Sequence, residues 1–276
     1  MTAPELPAKT ARAVVRATFN AAADHFDDPA LFFWDHIGRR TVDFAGVRRG
    51  DRVLDVCCGT GASAIPAARR AGRAGHVTGV DLAELPLARA RAKADAAGLH
   101  NVEFVAGDLT APDVPAESVD VVLCVLGIYF AEDVPDALAG LWRTLRPGGT
   151  LAVTTWGRRA LEPVNTMYLD AVGERCPRLR PDAVSWERLN EPETLRAAFA
   201  AAGVARPTLV HETLLHPLSG NDFWTIVLGS GYRLLVELLG PMGAAEVRER
   251  LGERVVAERV HTLTSDVIYA RSRKPR

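Results

Sequence analysis

Two hydrophobic periods alternate along the chain. Val53 to Val56 is a short, mostly β-branched apolar run that reads as a buried strand, and it ends in the small residues Cys57 to Gly61. Ala62, Ala64, Ile65, Ala67 and Ala68 then recur at helical spacing. The same unit returns downstream. Strands are predicted at 76–81, 102–105, 118–124 and 150–155, and helices at 84–97, stopped by Gly98, and at about 134–144. Leu145 to Gly149 reads as a turn before the fifth strand. Upstream, residues 1–9 read as a loose tail. A helix over 10–26 carries Ala11, Val14, Val15, Ala17, Phe19 and Ala22 on one face. Asp27-Asp28-Pro29 ends it, and a second helix starts near Ala30. After Trp156 the pattern predicts a helix at 163–173, an amphipathic helix at 192–202 opened by Glu191-Pro192 and closed by Gly203, and a strand at 207–215. Two helices near 219–239 and 243–257 and a last strand at 260–272 complete the chain.

A chain of 276 residues with 48% hydrophobic content can bury a full core, as one α/β domain with additions. A net charge of −1 gives no polyanion footprint, and Arg39/Arg40, Arg48/Arg49 and Arg69/Arg70 read as solvated faces, so no nucleic-acid partner is expected. Cysteines 57, 58, 124 and 176 lack metal-ligand spacing; they read as free thiols in a reducing compartment, with no metal. No signal-peptide pattern opens the sequence. Phe223 to Leu239 carries Arg233 and Glu237, which favours a soluble helix over a membrane span. A cytoplasmic protein with no membrane partner is expected, and a homodimer stays open.

Asp55, Gly59 and Gly61 stand as Asp-x-x-x-Gly-x-Gly at a strand–turn–helix junction, where a ligand lies against backbone N–H groups. Gly59 to Ala64 also fits the G-x-G-x-x-A dinucleotide fingerprint, and Asp81, 22 residues beyond Gly59, suits a ribose-binding acid in either case. Asp55 separates the two. A carboxylate there can take the cationic amine of a bound amino acid through water, whereas a pyrophosphate would be repelled. VLDVCCGTG (53–61) and LRPGGTLAVTTW (145–156) resemble the first motif and the fifth-strand turn of class I S-adenosylmethionine-dependent methyltransferases. The nearest look is the ubiquinone/menaquinone-methyltransferase-like group, which acts mainly on small molecules. Cys57 departs from the pattern, standing where that family usually has a glycine. The likeness is strong over about 15–160 and loose beyond.

The resemblance implies a seven-stranded, mostly parallel Rossmann-like sheet with helices on both faces. It implies N-terminal helices over the cofactor cleft (1–46), a cofactor-binding core (47–156), and a remainder (157–276) holding strands six and seven. Acceptor-cap insertions are expected at about 157–190 and 217–258. S-adenosylmethionine is the implied cofactor, with Phe26, Asp55, Cys57, Gly59, Gly61, Asp81, Leu82, Gly107, Asp108, Leu109 and Cys124 around it. Asp81 would take the ribose hydroxyls, Leu82 an adenine face, Asp108 the adenine amino group and Phe26 the methionine end.

Methyl transfer from a sulfonium is an in-line displacement, and a base is needed only where the acceptor must lose a proton. His25 and Tyr129 flank the expected pocket and lead the catalytic candidates, ahead of His36, His211 and His216. No Asn/Asp-Pro-Pro-Tyr follows the fourth strand, which argues against methylation of nucleobase amines. Trp34, Trp156, Phe223, Trp224 and Tyr232 are the expected acceptor contacts, and such a lining suits a small apolar or aromatic metabolite. Gly229 and Gly231 weaken a helix there and predict a segment that opens for the acceptor. The expected reaction is methylation of an oxygen, carbon or nitrogen. The alternative is a protein of this fold that binds the cofactor yet promotes a cyclisation.

Overall fold

Val53 to Val56 are buried in a strand, β1 (Arg52–Val56), with at most 2% of any side chain exposed. The structure is a computed structural model that describes residues 11–276; the tail read at 1–9 lies outside the described residues. β1 pairs in parallel with β2 (His76–Asp81) on one side and β4 (Val119–Val125) on the other. β3 (Val102–Ala106) joins β2 and β5 (Leu145–Trp156) joins β4, both in parallel. β7 (Thr262–Arg273) runs antiparallel between β5 and the edge strand β6 (Thr208–Pro217). The seven-stranded order is β3-β2-β1-β4-β5-β7-β6. The order reverses between β1 and β4, and the crevice at the carboxyl ends of those strands is where open α/β sheets bind ligands.

Alternate side chains leave the sheet on opposite faces. Val53, Val121 and Leu123 pack with Ala67 and Leu87 of α3 (Ala64–Ala71) and α4 (Glu84–Ala96). Leu54, Val122 and Cys124 join Leu138 of α5 (Val134–Thr144) and Tyr168 of α6 (Val164–Arg175) in the second cluster. Phe199 of α7 (Pro192–Ala201) belongs to that cluster too. Capping chemistry sets the boundaries. Asp133 accepts from the Asp136 N–H to open α5, and Gly46 at φ 75° closes α2 (Phe33–Ala45) with its N–H on the Val42 and Asp43 carbonyls.

The largest differences from the sequence reading are in β5 and in the cap helices. β5 begins at Leu145, not 150, because Leu145 already pairs with Val119. Two β4 positions later Val121 faces Thr150, so the turn at Arg146 to Gly149 is a bulge inside the strand. The helix read near 219–239 is divided into α8 (Asp222–Leu228) and the start of α9 (Arg233–Ala257), and the helix read near 243–257 is the rest of α9. The chain breaks at Gly229 to Tyr232, and the boundary expected between 239 and 243 stands, because Gly240 at φ 66° and ψ 175° leaves the helical region inside α9. A Cβ on Gly229 would lie 2.9 Å from Leu31 and 3.0 Å from the His25 carbonyl oxygen. That glycine therefore ends α8 and seats the cap against the N-terminal segment. No single helix among the described residues is long and apolar enough to cross a membrane.

α2 reaches the sheet's ligand crevice through Trp34. Thr41 ties it to the sheet, its hydroxyl 2.7 Å from that of Thr154 with both residues fully buried. One turn earlier, a Cβ on Gly38 would stand 2.4 Å from the Ala62 carbonyl oxygen and 2.6 Å from its carbon. Both are backbone atoms and cannot rotate away. Gly38→Ala is expected to cost about 1–3 kcal/mol, read as a lowered thermal midpoint. An unchanged midpoint would show that α2 and the loop separate freely.

Candidate cofactor and acceptor site

The turn after β1 is built from backbone that side chains rarely adopt. Cys57, Gly59 and Gly61 have φ of 58°, 52° and 86°. These angles turn the chain back over the end of β2, where the Gly59 N–H donates to Asp81 Oδ2 at 2.9 Å. The Ala83 N–H donates to Oδ1 of the same carboxylate, also at 2.9 Å. Asp81 thus joins the turns after β1 and β2. Burial raises its pKa, and these backbone hydrogen bonds oppose the shift.

Asp55 lies one layer behind. It is fully buried, its Oδ2 accepts from Ser63 Oγ at 2.7 Å, and its Oδ1 has no partner. Burial pushes its carboxyl up to about 7, with the Ser63 hydrogen bond working against the shift. The N-terminal segment covers the opening. Asp27 accepts from Thr60 Oγ1 at 2.9 Å and pairs with Lys93, Asn20 accepts from the Leu85 N–H, and Asp24 pairs with Arg89. α1 (Ala11–Ala22) contributes Val15 and Phe19 to the wall.

These elements enclose a cavity with about 1230 Å³ of empty space, its mouth included. Of the cofactor residues expected from sequence, Phe26, Cys57, Gly59, Asp81, Leu82, Gly107 and Leu109 line it. Asp55, Gly61, Asp108 and Cys124 do not. Asp55 acts through Ser63, and Gly61 packs against Ile65 and Ala90. Asp108 accepts from Thr110 and pairs with Arg12 at 2.9 Å. Cys124 is wholly buried and hydrogen-bonds Cys57; that bond, then burial, holds the Cys57 thiol well above its ordinary range.

The far end is aromatic. Phe26 stacks on Trp34 at 5.6 Å, and Trp34 meets Trp156 at 5.9 Å. Trp186 meets Tyr232 edge-on at 5.7 Å. Trp34, Trp156 and Tyr232 line the cavity as expected acceptor contacts would, and Tyr129 of the catalytic candidates lines it too. The other expected placements are corrected. Phe223 and Trp224, 7% and 6% exposed, fill the interior between α8 and α9 and face a separate surface hollow. His25, His36, His211 and His216 are absent from the cavity wall. His36 pairs with Glu212 at 3.1 Å, and His216 is buried against Phe32 and Phe33 with both ring nitrogens unpartnered. The sequence reading assigned no site role to Ser63, Gly127, Ser230 or Gly231, all on the wall. The Gly229-Ser230-Gly231 break carried a signal, but it was read as looseness.

The family described as a methyltransferase domain matches residues 53–149. Aklanonic acid methyltransferase of Streptomyces sp. (strain C5) is 34% identical over 204 residues, covering 70% of this chain and 92% of that one. Nocamycin O-methyltransferase of Saccharothrix syringae is 32% identical over 273 residues, 92% and 96% of the two chains. The chain belongs to the class I S-adenosylmethionine-dependent methyltransferases. A SAM-dependent methyltransferase from Aquifex aeolicus has the same fold, with a TM-score of 0.54 at 19% identity over 68% of this chain and 89% of that one. The methyl donor of this family is S-adenosylmethionine, and the residues present fit it. A buried carboxylate oxygen of Asp55 lacks a partner, Ser63 brings its hydroxyl to the wall, and Asp81 lies on the wall with lone pairs to spare.

The Asp55 shift carries a pH dependence. Between its ordinary value of 3.8 and about 7, the folded methyltransferase holds a proton that the unfolded chain has released. Its contribution to stability therefore falls as pH rises through that window, by up to about 4 kcal/mol. Asp55→Asn is expected to remove this slope. Thermal midpoints of both proteins in the absence of cofactor, at pH 5 and pH 8, check it: the variant gains on the parent at the higher pH. Parallel curves would count against a raised Asp55.

Proposed function

We propose that this methyltransferase transfers the methyl group of S-adenosylmethionine to an oxygen of a small apolar or aromatic metabolite. The observation that carries the reading is the division of one cavity into two ends. One end has the backbone turns, Ser63 and Asp81; the other has Phe26, Trp34, Trp156, Trp186 and Tyr232. Asp81 would accept the ribose hydroxyls, Leu82 and Leu109 would pack on the base, and Ser63 backed by Asp55 would meet the amine of the methionine moiety. The donor supplies an electrophilic methyl carbon, so the protein's part is to fix distance and line of attack and to exclude water. The aromatic end offers apolar faces and few polar groups, which suits a flat, poorly hydrated acceptor. Of the two relatives, one is named as an O-methyltransferase and the other as a methyltransferase of an acid, aklanonic acid.

Incubation with methyl-labelled S-adenosylmethionine and a panel of hydroxylated bicyclic and polycyclic aromatics tests the reading, with labelled O-methyl product expected. A rearranged product without label would favour the cyclisation alternative.

Two substitutions separate the ends. Asp81→Ala removes charge-assisted hydrogen bonds worth about 1.5–3 kcal/mol each. Calorimetry should show S-adenosylmethionine bound at least about tenfold more weakly while circular dichroism stays native. An unchanged dissociation constant would mean that the ribose is held elsewhere. Tyr232→Ala should raise the acceptor KM and alter cofactor affinity by less than about threefold. Trp224→Ala, by contrast, opens a hole in the cap's interior and should lower stability by about 3–5 kcal/mol. If Trp224→Ala changed acceptor choice at an unchanged thermal midpoint, the placement of Trp224 inside the cap would be refuted.

A further inference from the structure

Tyr129 occupies a position on the cavity wall that the reading above does not use. It sits in the 3-10 turn Ile128–Phe130 just after β4, is 4% exposed, and contacts Phe130 edge-on at 4.9 Å. Its phenolic oxygen is hydrogen-bonded by the Trp156 indole N–H, which leaves its own proton to be donated. The groups that face it are few. Cys124 of β4, Cys57 of the first turn and Tyr232 of the cap are its titratable neighbours. The Arg188 guanidinium lies behind, donating to the Tyr129 and Ala131 backbone carbonyls at 2.9 and 2.6 Å, and does not line the cavity.

The lining as a whole is poor in groups that could take a proton. Among the described residues on the wall, Asp81 is the single carboxylate, and no Lys, Arg, His or Glu is present. Asp81 is committed to two backbone N–H groups and to the donor end. Burial raises the pKa of Tyr129 and of Tyr232 well above the usual phenol range; the Tyr232 hydroxyl donates to Asn165 Oδ1, which leaves Tyr129 as the neutral phenol donor facing the cavity. The Trp34 indole N–H is a further buried donor with no partner. The acceptor end thus offers hydrogen-bond donors without a base.

Resting on the O-methylation reading, we propose that the acceptor is an acidic oxygen compound that enters already ionised, and that Tyr129 holds its anionic oxygen as a donor and not as a base. An oxygen lone pair forms the new O–C bond as the S–C bond of the sulfonium breaks, and sulfur keeps that electron pair. Anion and cation become a neutral methyl ether or ester and a neutral thioether, and no proton passes to the protein. The oxygen loses charge along this path, so a donor binds the ground state more strongly than the transition state. Tyr129 is therefore a positioning residue that lowers KM.

Two bicyclic acceptors of similar outline test this: 2-hydroxy-1,4-naphthoquinone, ionised at neutral pH, and 2-naphthol, which is not. With labelled S-adenosylmethionine, kcat/KM for each should rise about tenfold per pH unit and level off at that compound's own acidity. At pH 7 the acidic one should be favoured by at least about a hundredfold. One midpoint shared by both, or equal rates at pH 7, would assign the proton to a protein group and overturn the proposal. Tyr129→Phe should weaken 2-hydroxy-1,4-naphthoquinone about tenfold in KM, and in calorimetric Kd with S-adenosylhomocysteine present, with kcat not reduced. A fall in kcat at unchanged KM would make Tyr129 a base and overturn it equally. Methylation of neither compound at any pH, with the donor bound, would instead sink the aromatic-acceptor reading and this one with it. Methylation of both with acidity-independent profiles would sink this one alone.

Discussion

One carboxylate holds two turns together. Asp81 accepts the Gly59 N–H with one oxygen and the Ala83 N–H with the other, each at 2.9 Å. The first turn is formed by left-handed residues, the Gly61 N–H bonds the Cys58 carbonyl within it, and a Gly59 N–H buried without a partner would cost about 1–3 kcal/mol. Satisfying Gly59 from β2 fixes the loop between β1 and α3, and that loop places Thr60 and Ser63. Thr60 then receives the N-terminal cover through Asp27, and Ser63 covers Asp55. The cavity's donor end is therefore a consequence of where β2 stops. An acid one residue earlier or later would point to another side of the strand.

The cavity is nearly free of charge beyond that carboxylate, and this has an energetic logic. A sulfonium brings its own positive charge, and a wall of cations would oppose it at short range. Aromatic faces attract a cation modestly and cost little to dehydrate. Phe26, Trp34 and Trp156 belong to different elements, the N-terminal cover, α2 and β5, yet they form one contiguous set of rings. Trp186 and Tyr232 come from the two stretches that interrupt the later strands. The acceptor end is thus assembled from all three parts of the chain, and the glycine at 229 permits it by letting the cap approach the His25 carbonyl.

Sequence periodicity was enough to locate the core. The strand at Val53 to Val56, the acid at 81, the Gly107-Asp108-Leu109 turn and the strand at 118–124 all match local patterns with short-range causes. What periodicity could not supply was direction. Asp108 follows its strand as expected, but pairs with Arg12, ninety-odd positions away in the chain. Phe223 and Trp224 are aromatic residues in the cap like Tyr232, and nothing in their spacing says which ring faces the cavity. The break at 229–232 decided it, turning Ser230, Gly231 and Tyr232 toward the site and leaving α8 to bury Phe223 and Trp224. One helix boundary in the cap was legible and the other was not. Gly240-Pro241 is a local breaker and interrupts the helix where the sequence places it, whereas the break at 229–232 depends on packing against Leu31 and His25.

Cys57 shows how a departure from a pattern is accommodated. It keeps the left-handed φ of 58° that glycine adopts freely, at a strain of about 1–2 kcal/mol. Its side chain needs room that a glycine would not, and the room comes from another glycine. A Cβ on Gly127 would fall 2.4 Å from Cys57 Cβ and 2.6 Å from its Sγ. Gly127 follows Leu126, itself at φ 53°, so the turn after β4 is as unusual as the one after β1. The two turns fit as a pair: a side chain is added on one and absent on the other. Cys124 beneath them supplies a hydrogen bond and a soft surface. The exchange leaves the backbone of the first turn where Asp81 needs it and sets the path of the second, which carries Tyr129 onto the cavity wall two residues beyond Gly127.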